Sequence, residues 1–101
     1  MTLIYKILGR DEWAAAEAAG VFTGSAVDIA DRFIHFSAEA QVRETLNRHF
    51  AGRTDLVLVA VEAGALGPAL KWEPSRGGAL FPHLYGPLPT RLAVSAETIA
   101  P

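Results

Sequence analysis

The sequence predicts an α+β fold with two main helices, on two observations. Helical periodicity is confined to the first half of the chain, over residues 11–19 and 37–50. Strand-formers dominate the second half, giving the order β-α-β-α-β-β-β rather than the regular alternation of a parallel architecture. Length sets the scale. The 101 residues, half of them hydrophobic, make one domain (1–101) that can bury a core without staples.

Each element has a local reason. Residues 3–8, LIYKIL, are β-branched and aromatic, with Ile4, Lys6 and Leu8 on one face. By pattern alone the Lys6 stem snorkels at a sheet edge. Asp11 is the expected N-cap of the first helix, Trp13 and the alanines its docking face, and Gly20 its stop. A short extended piece begins at Val21. Residues 25–32 are open between a helical turn and a loop, with Asp28, Asp31 and Arg32 read as solvated.

Residues 33–37, FIHFS, form a strand with Phe33, His35 and Ser37 on one face. Ser37 doubles as the cap of the second helix, whose stripe is Val42, Leu46, His49 and Phe50. Glu39–Arg43 and Glu44–Arg48 are i,i+4 pairs worth ~0.2–0.5 kcal/mol each. Residues 55–62 are apolar on both faces, as a central strand should be. A short strand at 70–73 and a turn at 74–78 follow. Pro82 and Pro87 make residues 80–86 a loop or edge strand. A last strand over 90–99 directs Leu92, Val94 and Ile99 inward.

Composition excludes several function classes. There is no Cys, hence no disulfide, thiolate nucleophile or Cys-ligated metal. The net charge of −2 gives no field for duplex nucleic acid. No apolar run approaches membrane-spanning length and no signal peptide is visible, so a cytoplasmic location is expected. His35, His49 and His83 lack ligand spacing, so no metal is expected. Neither a dinucleotide-binding glycine motif nor a P-loop is present.

The stretch 71–88, KWEPSRGGALFPHLYGPL, mixes Trp72, Phe81, Leu84 and Tyr85, which want burial, with Glu73, Arg76 and His83, which want water or a partner. Such a loop lines something. An aromatic beside a carboxylate, opposite His and Tyr, suits a flat ring with polar edges, such as a nicotinamide or a base. Taken singly, each residue also has a structural role: His35 bonded to backbone, Ser37 as a cap, Trp72 in the core.

IYKI, RFIHFSAEAQV, LVLVAVEA and LKWEPSRGGALFPHLYGPL together resemble the bacterial family called domain of unknown function 952. That family is similar in fold to the ADP-ribosyltransferases, which implies a small split antiparallel sheet gripping NAD in a cleft. The resemblance implies one site. His35, Glu73 and His83 would be catalytic, and Lys6, Ser37, Trp72 and Tyr85 would bind ligand, NAD or a related nucleotide. Members of the family often carry Tyr-His-Ile where this chain has Tyr5-Lys6-Ile7. Lys6 donates to phosphate or ribose but cannot accept as a neutral His does. Two readings stay open: an NAD-dependent transferase, and a non-catalytic small-ligand or protein-interaction module on the same fold.

Overall fold

The strand expected to be central is the axis of the fold. In the computed structural model, which describes residues 1–101 with Arg76 described through its backbone alone, β5 (Leu56–Glu62) lies between β1 (Leu3–Gly9) and β9 (Ala93–Ile99). Arg76, expected to seek water or a partner, thus lies outside the described side chains. The short β4 (Ser37–Ala38) completes a four-stranded sheet in the order β4-β1-β5-β9, with antiparallel neighbours. A second antiparallel sheet has the order β3-β7-β6, from Ile34–His35, Leu80–Leu84 and Leu70–Pro74. A two-stranded pair joins β2 (Val21–Phe22) to β8 (Leu88–Pro89). The molecule is α+β with antiparallel sheets.

Helix α1 (Arg10–Ala19) docks by Trp13 and Ala16, as its pattern predicts. It starts one residue before the expected cap. Gly9 takes the cap position and its N–H donates to Glu12 Oε1 at 3.1 Å. Gly20 ends it in the left-handed region, φ 82°, where a side chain would be strained. Helix α3 (Val42–His49) covers the other face of the large sheet, with Leu46 packed on Ile7 and Leu56. Burying each such aliphatic side chain contributes about 1.5–3 kcal/mol.

Four expectations are corrected. FIHFS is not one strand. Ile34 and His35 pair with β7, whereas Ser37 pairs with Tyr5 of β1, so the chain crosses from one sheet to the other at Phe36. Ser37 does not cap the helix. The cap function shifts to the turn ahead of it, where Gln41 Oε1 accepts from Ala38 N–H at 2.8 Å, and Ser37 Oγ meets Thr45 Oγ1 at 3.1 Å. Residues 80–84 are a central strand despite Pro82. Pro82 O accepts from Phe36 N–H at 3.0 Å, so the position without an N–H faces the end of β3 and leaves the ladder to β6 intact. Val94 is exposed, because β9 is an edge strand with little packed over it.

Residues 25–32, left open by the sequence, form α2 (Ala26–Asp31). Gly24 makes its approach tight: φ is 121°, and a Cβ there would lie 2.9 Å from the Asp28 Cβ. Arg32 then turns the chain in the left-handed region (φ 70°), so that Arg32 and Phe33 N–H both bond Asp28 O and β3 begins.

Candidate functional site

Where the two sheets part, they leave a cleft of about 600 Å³. β1, α2, the β3–β4 crossing, α3 and β7 all contribute to its lining. Four of the residues singled out by sequence, Lys6, Ser37, His35 and His83, line it together. Topology explains their meeting. Lys6 sits on β1 opposite Val59, His35 pairs directly with His83 across β3 and β7, and Ser37 pairs with Tyr5.

The centre of the site is a carboxylate that the sequence reading placed in solvent. Asp28 is 2% exposed. It accepts from Lys6 Nζ at 2.8 and 3.0 Å, from Ser25 N–H at 2.8 Å, from His35 N–H at 3.1 Å and from His35 Nδ1 at 2.5 Å. Lys6 does not snorkel at a sheet edge. It is 5% exposed on an interior strand, and Asp28 is its counter-ion. The other His35 nitrogen, Nε2, lies 2.9 Å from Asp31 Oδ2. Each ring nitrogen of His35 thus lies against a carboxylate, Asp28 on one side and Asp31 on the other, and ionised carboxylates only accept.

A second carboxylate orients the second imidazole. His83 Nδ1 lies 2.8 Å from Glu73 Oε1, which also accepts from Tyr85 OH at 2.7 Å. Phe33 stacks on the His83 ring, centroids 4.0 Å apart, and touches His35 and Tyr85. Nε2, the far ring nitrogen, has no partner among the described residues, and in the neutral tautomer that donates Nδ1–H to Glu73 it is the acceptor. A carboxylate–imidazole pair with its far nitrogen free is the usual arrangement of a general base. Glu73 is held below the usual carboxylate range, first by the Tyr85 hydroxyl and then by His83.

The backbone of β1 adds a third element. Arg10 N–H bonds Asp55 O and Ala63 N–H bonds Thr2 O, continuing the β1–β5 ladder at both ends. Even-numbered residues of β1 therefore face β5, and Tyr5, Ile7 and Gly9 turn their N–H and C=O the other way. Tyr5 meets β4, and Gly9 N–H meets Glu12. β4 ends before Ile7. Among the described residues, the Ile7 N–H and C=O meet no strand, lie on the side of β1 beyond the end of β4, and belong to a residue that lines the cleft.

Over residues 7–96 the chain matches the family described as Protein of unknown function (DUF952). The chain belongs to that family. The DUF952 domain is also similar to solved structures of one protein, CC0527 from Caulobacter crescentus. Its crystal structure is 59% identical at a TM-score of 0.94, covering 96% of this chain and 85% of that one. Its solution structure is 58% identical at a TM-score of 0.89, covering 99% and 86%. No curated protein matches the chain.

Three of the expected residues in this DUF952 domain lie outside the cleft lining. Glu73 and Tyr85 stand behind His83 and reach the cleft only through it. Trp72 pairs with Pro82, out of phase with His83, and is 40% exposed away from the cleft. The sequence reading missed Asp28, Asp31, Phe33 and the Ile7 backbone. Two signals were available for Asp28: the Ser25-x-x-Asp28 spacing, which marks a helix start, and Lys6 set among apolar neighbours, which calls for an acid. Among the described residues no helix is long and apolar enough to cross a membrane.

The ion pair carries a pH signature. Burial by itself would raise the Asp28 carboxyl, but the bonds from His35, Lys6 and Ser25 outweigh it and bring its pKa from 3.8 to about 2. A carboxyl depressed on folding adds stability above its unfolded value, and that stability is lost as pH falls through the folded value. The increment is about 2 kcal/mol for a shift of this size. Urea unfolding between about pH 4 and pH 2 is expected to show this loss in the native chain and a flatter dependence in Asp28→Asn.

Proposed function

We propose that this cleft binds NAD or a closely related nucleotide, and that His83 serves transfer of the ADP-ribosyl group to an acceptor hydroxyl. The observation that carries the reading is the free Ile7 edge. A peptide N–H and C=O side by side offer one donor and one acceptor, which match the C=O and NH₂ of a carboxamide. Nicotinamide carries such a group. The cleft volume lies within the usual range for small-ligand sites. Tyr5, Phe50 and Phe81 supply aromatic lining in place of Trp72. The likeness to ADP-ribosyltransferases supports the reading only by analogy of fold.

When bound, NAD supplies an electrophilic ribose carbon and a neutral leaving group. Ile7 holds the carboxamide of that leaving group as the ribose–nitrogen bond breaks and its electron pair passes to the ring nitrogen. His83 Nε2 takes the proton of the acceptor hydroxyl as its oxygen bonds the ribose carbon. Glu73 stabilises the resulting imidazolium and fixes its orientation. Water as acceptor gives hydrolysis, read as nicotinamide release. One feature favours the alternative of binding without turnover: the cleft lysine has its charge already matched by Asp28.

The test is a pair of thermal-shift titrations with NAD and its nicotinic acid analogue. At ~100-fold over its dissociation constant, NAD adds ~2.7 kcal/mol to stability. The analogue lacks the amide donor and leaves the Ile7 carbonyl unpaired, so it binds about ten- to a hundredfold more weakly. Equal shifts, or none with either compound, contradict the reading.

A further inference from the structure

We infer that His35 is the seat of an oxyanion subsite in this cleft, which takes a phosphate group of the nucleotide, and that Asp31 is its built-in competitor. The inference deepens the nucleotide reading and rests on it for the identity of the ligand. Its geometry stands on its own.

The buried half of the array is fixed. Asp28 holds His35 by both the ring Nδ1 and the backbone N–H, and its side chain is 1% exposed. The His35 ring therefore cannot rotate without breaking its bond to a buried carboxylate, and the backbone bond to the same carboxylate holds the residue in place. Its Nε2 is directed to the side that Asp31 occupies, and both residues line the cleft. Asp31 is different in kind. It is the last residue of α2, its side chain is 49% exposed, and His35 is its partner. An ion pair at such exposure contributes little and exchanges readily with solvent ions.

Charge points the same way. Lys6 and, when its ring is protonated, His35 bring two positive charges to Asp28, which supplies one negative charge. Asp31 supplies the other. When Asp31 swings out to solvent, His35 Nε2 is left without its carboxylate, and the protonated ring presents that N–H to the cleft with its charge unmatched. A charge-assisted bond from an imidazolium to an oxyanion is short and strong, and desolvation in a cleft strengthens it. The other carboxylate lining the cleft, Glu12, is turned to Gly9 N–H and does not compete. Ser37 Oγ and Thr45 Oγ1 bring hydroxyls to the same lining. A phosphate oxygen thus fits where the Asp31 carboxylate sits in the free protein, and its binding releases the end of α2.

The experiment uses inorganic phosphate as probe, with the histidine ring nitrogens followed by ¹H–¹⁵N correlation. In the native chain the His35 signals are expected to shift on titration. Asp31→Asn removes the competitor without touching the core and is expected to bind phosphate about fivefold tighter, the size of an exposed ion pair. In His35→Gln the backbone-amide shifts that phosphate induces in residues 31–35 of the native chain are expected to be lost. Phosphate that binds Asp31→Asn no more tightly, or that shifts His49 and leaves His35 unmoved, overturns the inference. Acetate binding as tightly as phosphate overturns the assignment to phosphate. NAD takes no part in these titrations, so the two readings fail separately. Phosphate seated at His35 in a chain that ignores NAD removes the nucleotide reading alone.

Discussion

Replacing Asp28 by Ala is expected to lower the stability of the domain by about 3–5 kcal/mol, the usual cost of removing one partner of a buried pair. Lys6 is the reason. Its ammonium lies on the inner face of β1 between Ile4 and Leu8, with Asp28 as counter-ion. Burial already pushes the Lys6 pKa below its usual value, and without Asp28 nothing opposes that except Glu12 at a distance. The same substitution frees Ser25 N–H and both His35 donors, so the start of α2 and of β3 loosen together. For a domain of this size each kcal/mol moves Tm by roughly 4–8 °C, so the loss exceeds about 12 °C. The double variant Lys6→Met, Asp28→Leu removes the charge along with its partner. It is expected to lie closer to the native chain than Asp28→Ala does, because an apolar pair can replace a buried ion pair at little cost. A double variant as unstable as the sum of its parts would show that Lys6 and Asp28 act independently.

His83→Gln is expected to slow nicotinamide release from NAD by about 10²–10⁴-fold, the contribution of a positioned general base. Affinity for NAD should change only a few-fold, because in the proposed mode Ile7, not His83, holds the carboxamide. Glu73→Gln should fall between the native chain and His83→Gln. The imidazole stays in place against Phe33, but the amide no longer stabilises the charge that His83 acquires. Tyr85→Phe should cost least, since its hydroxyl reaches only Glu73. An equal loss of binding and turnover in His83→Gln would assign His83 to ligand binding, and unchanged turnover would remove it from the mechanism.

The parts of this molecule that were legible in the sequence are those set by period and composition. The apolar run over 56–62 could only be central, and the Trp13 face, the Gly20 stop and the Leu46 stripe follow from helical spacing. FIHFS and FPHLYG, the two motifs singled out by residue type, meet in the fold, where His35 pairs with His83 across two strands. What alternation could not reveal is that FIHFS changes sheets at Phe36, because nothing local distinguishes one strand from two short ones in different sheets. Asp28 was illegible for a related reason. A carboxylate in a short polar segment is usually solvated, and its burial here depends on Lys6, 22 positions away. The strand pattern placed Lys6 among apolar neighbours, and the missing step was to look for an acid to match it. Pro82 misled in the opposite direction. Its lack of an N–H argues for an edge, but in the fold that side faces Phe36 rather than a ladder. The free Ile7 edge depends on where β4 ends, which the sequence of β1 alone does not contain.

The central claim is that a carboxamide-bearing nucleotide seats against Ile7 beside His83. It is tested most directly by following the Ile7 backbone amide in ¹H–¹⁵N spectra during titration with NAD and with its nicotinic acid analogue. The account predicts a saturable downfield shift of the Ile7 amide proton with NAD, and a much weaker response with the analogue. An Ile7 amide that stays fixed while NAD binds elsewhere, or that responds equally to both compounds, would contradict it.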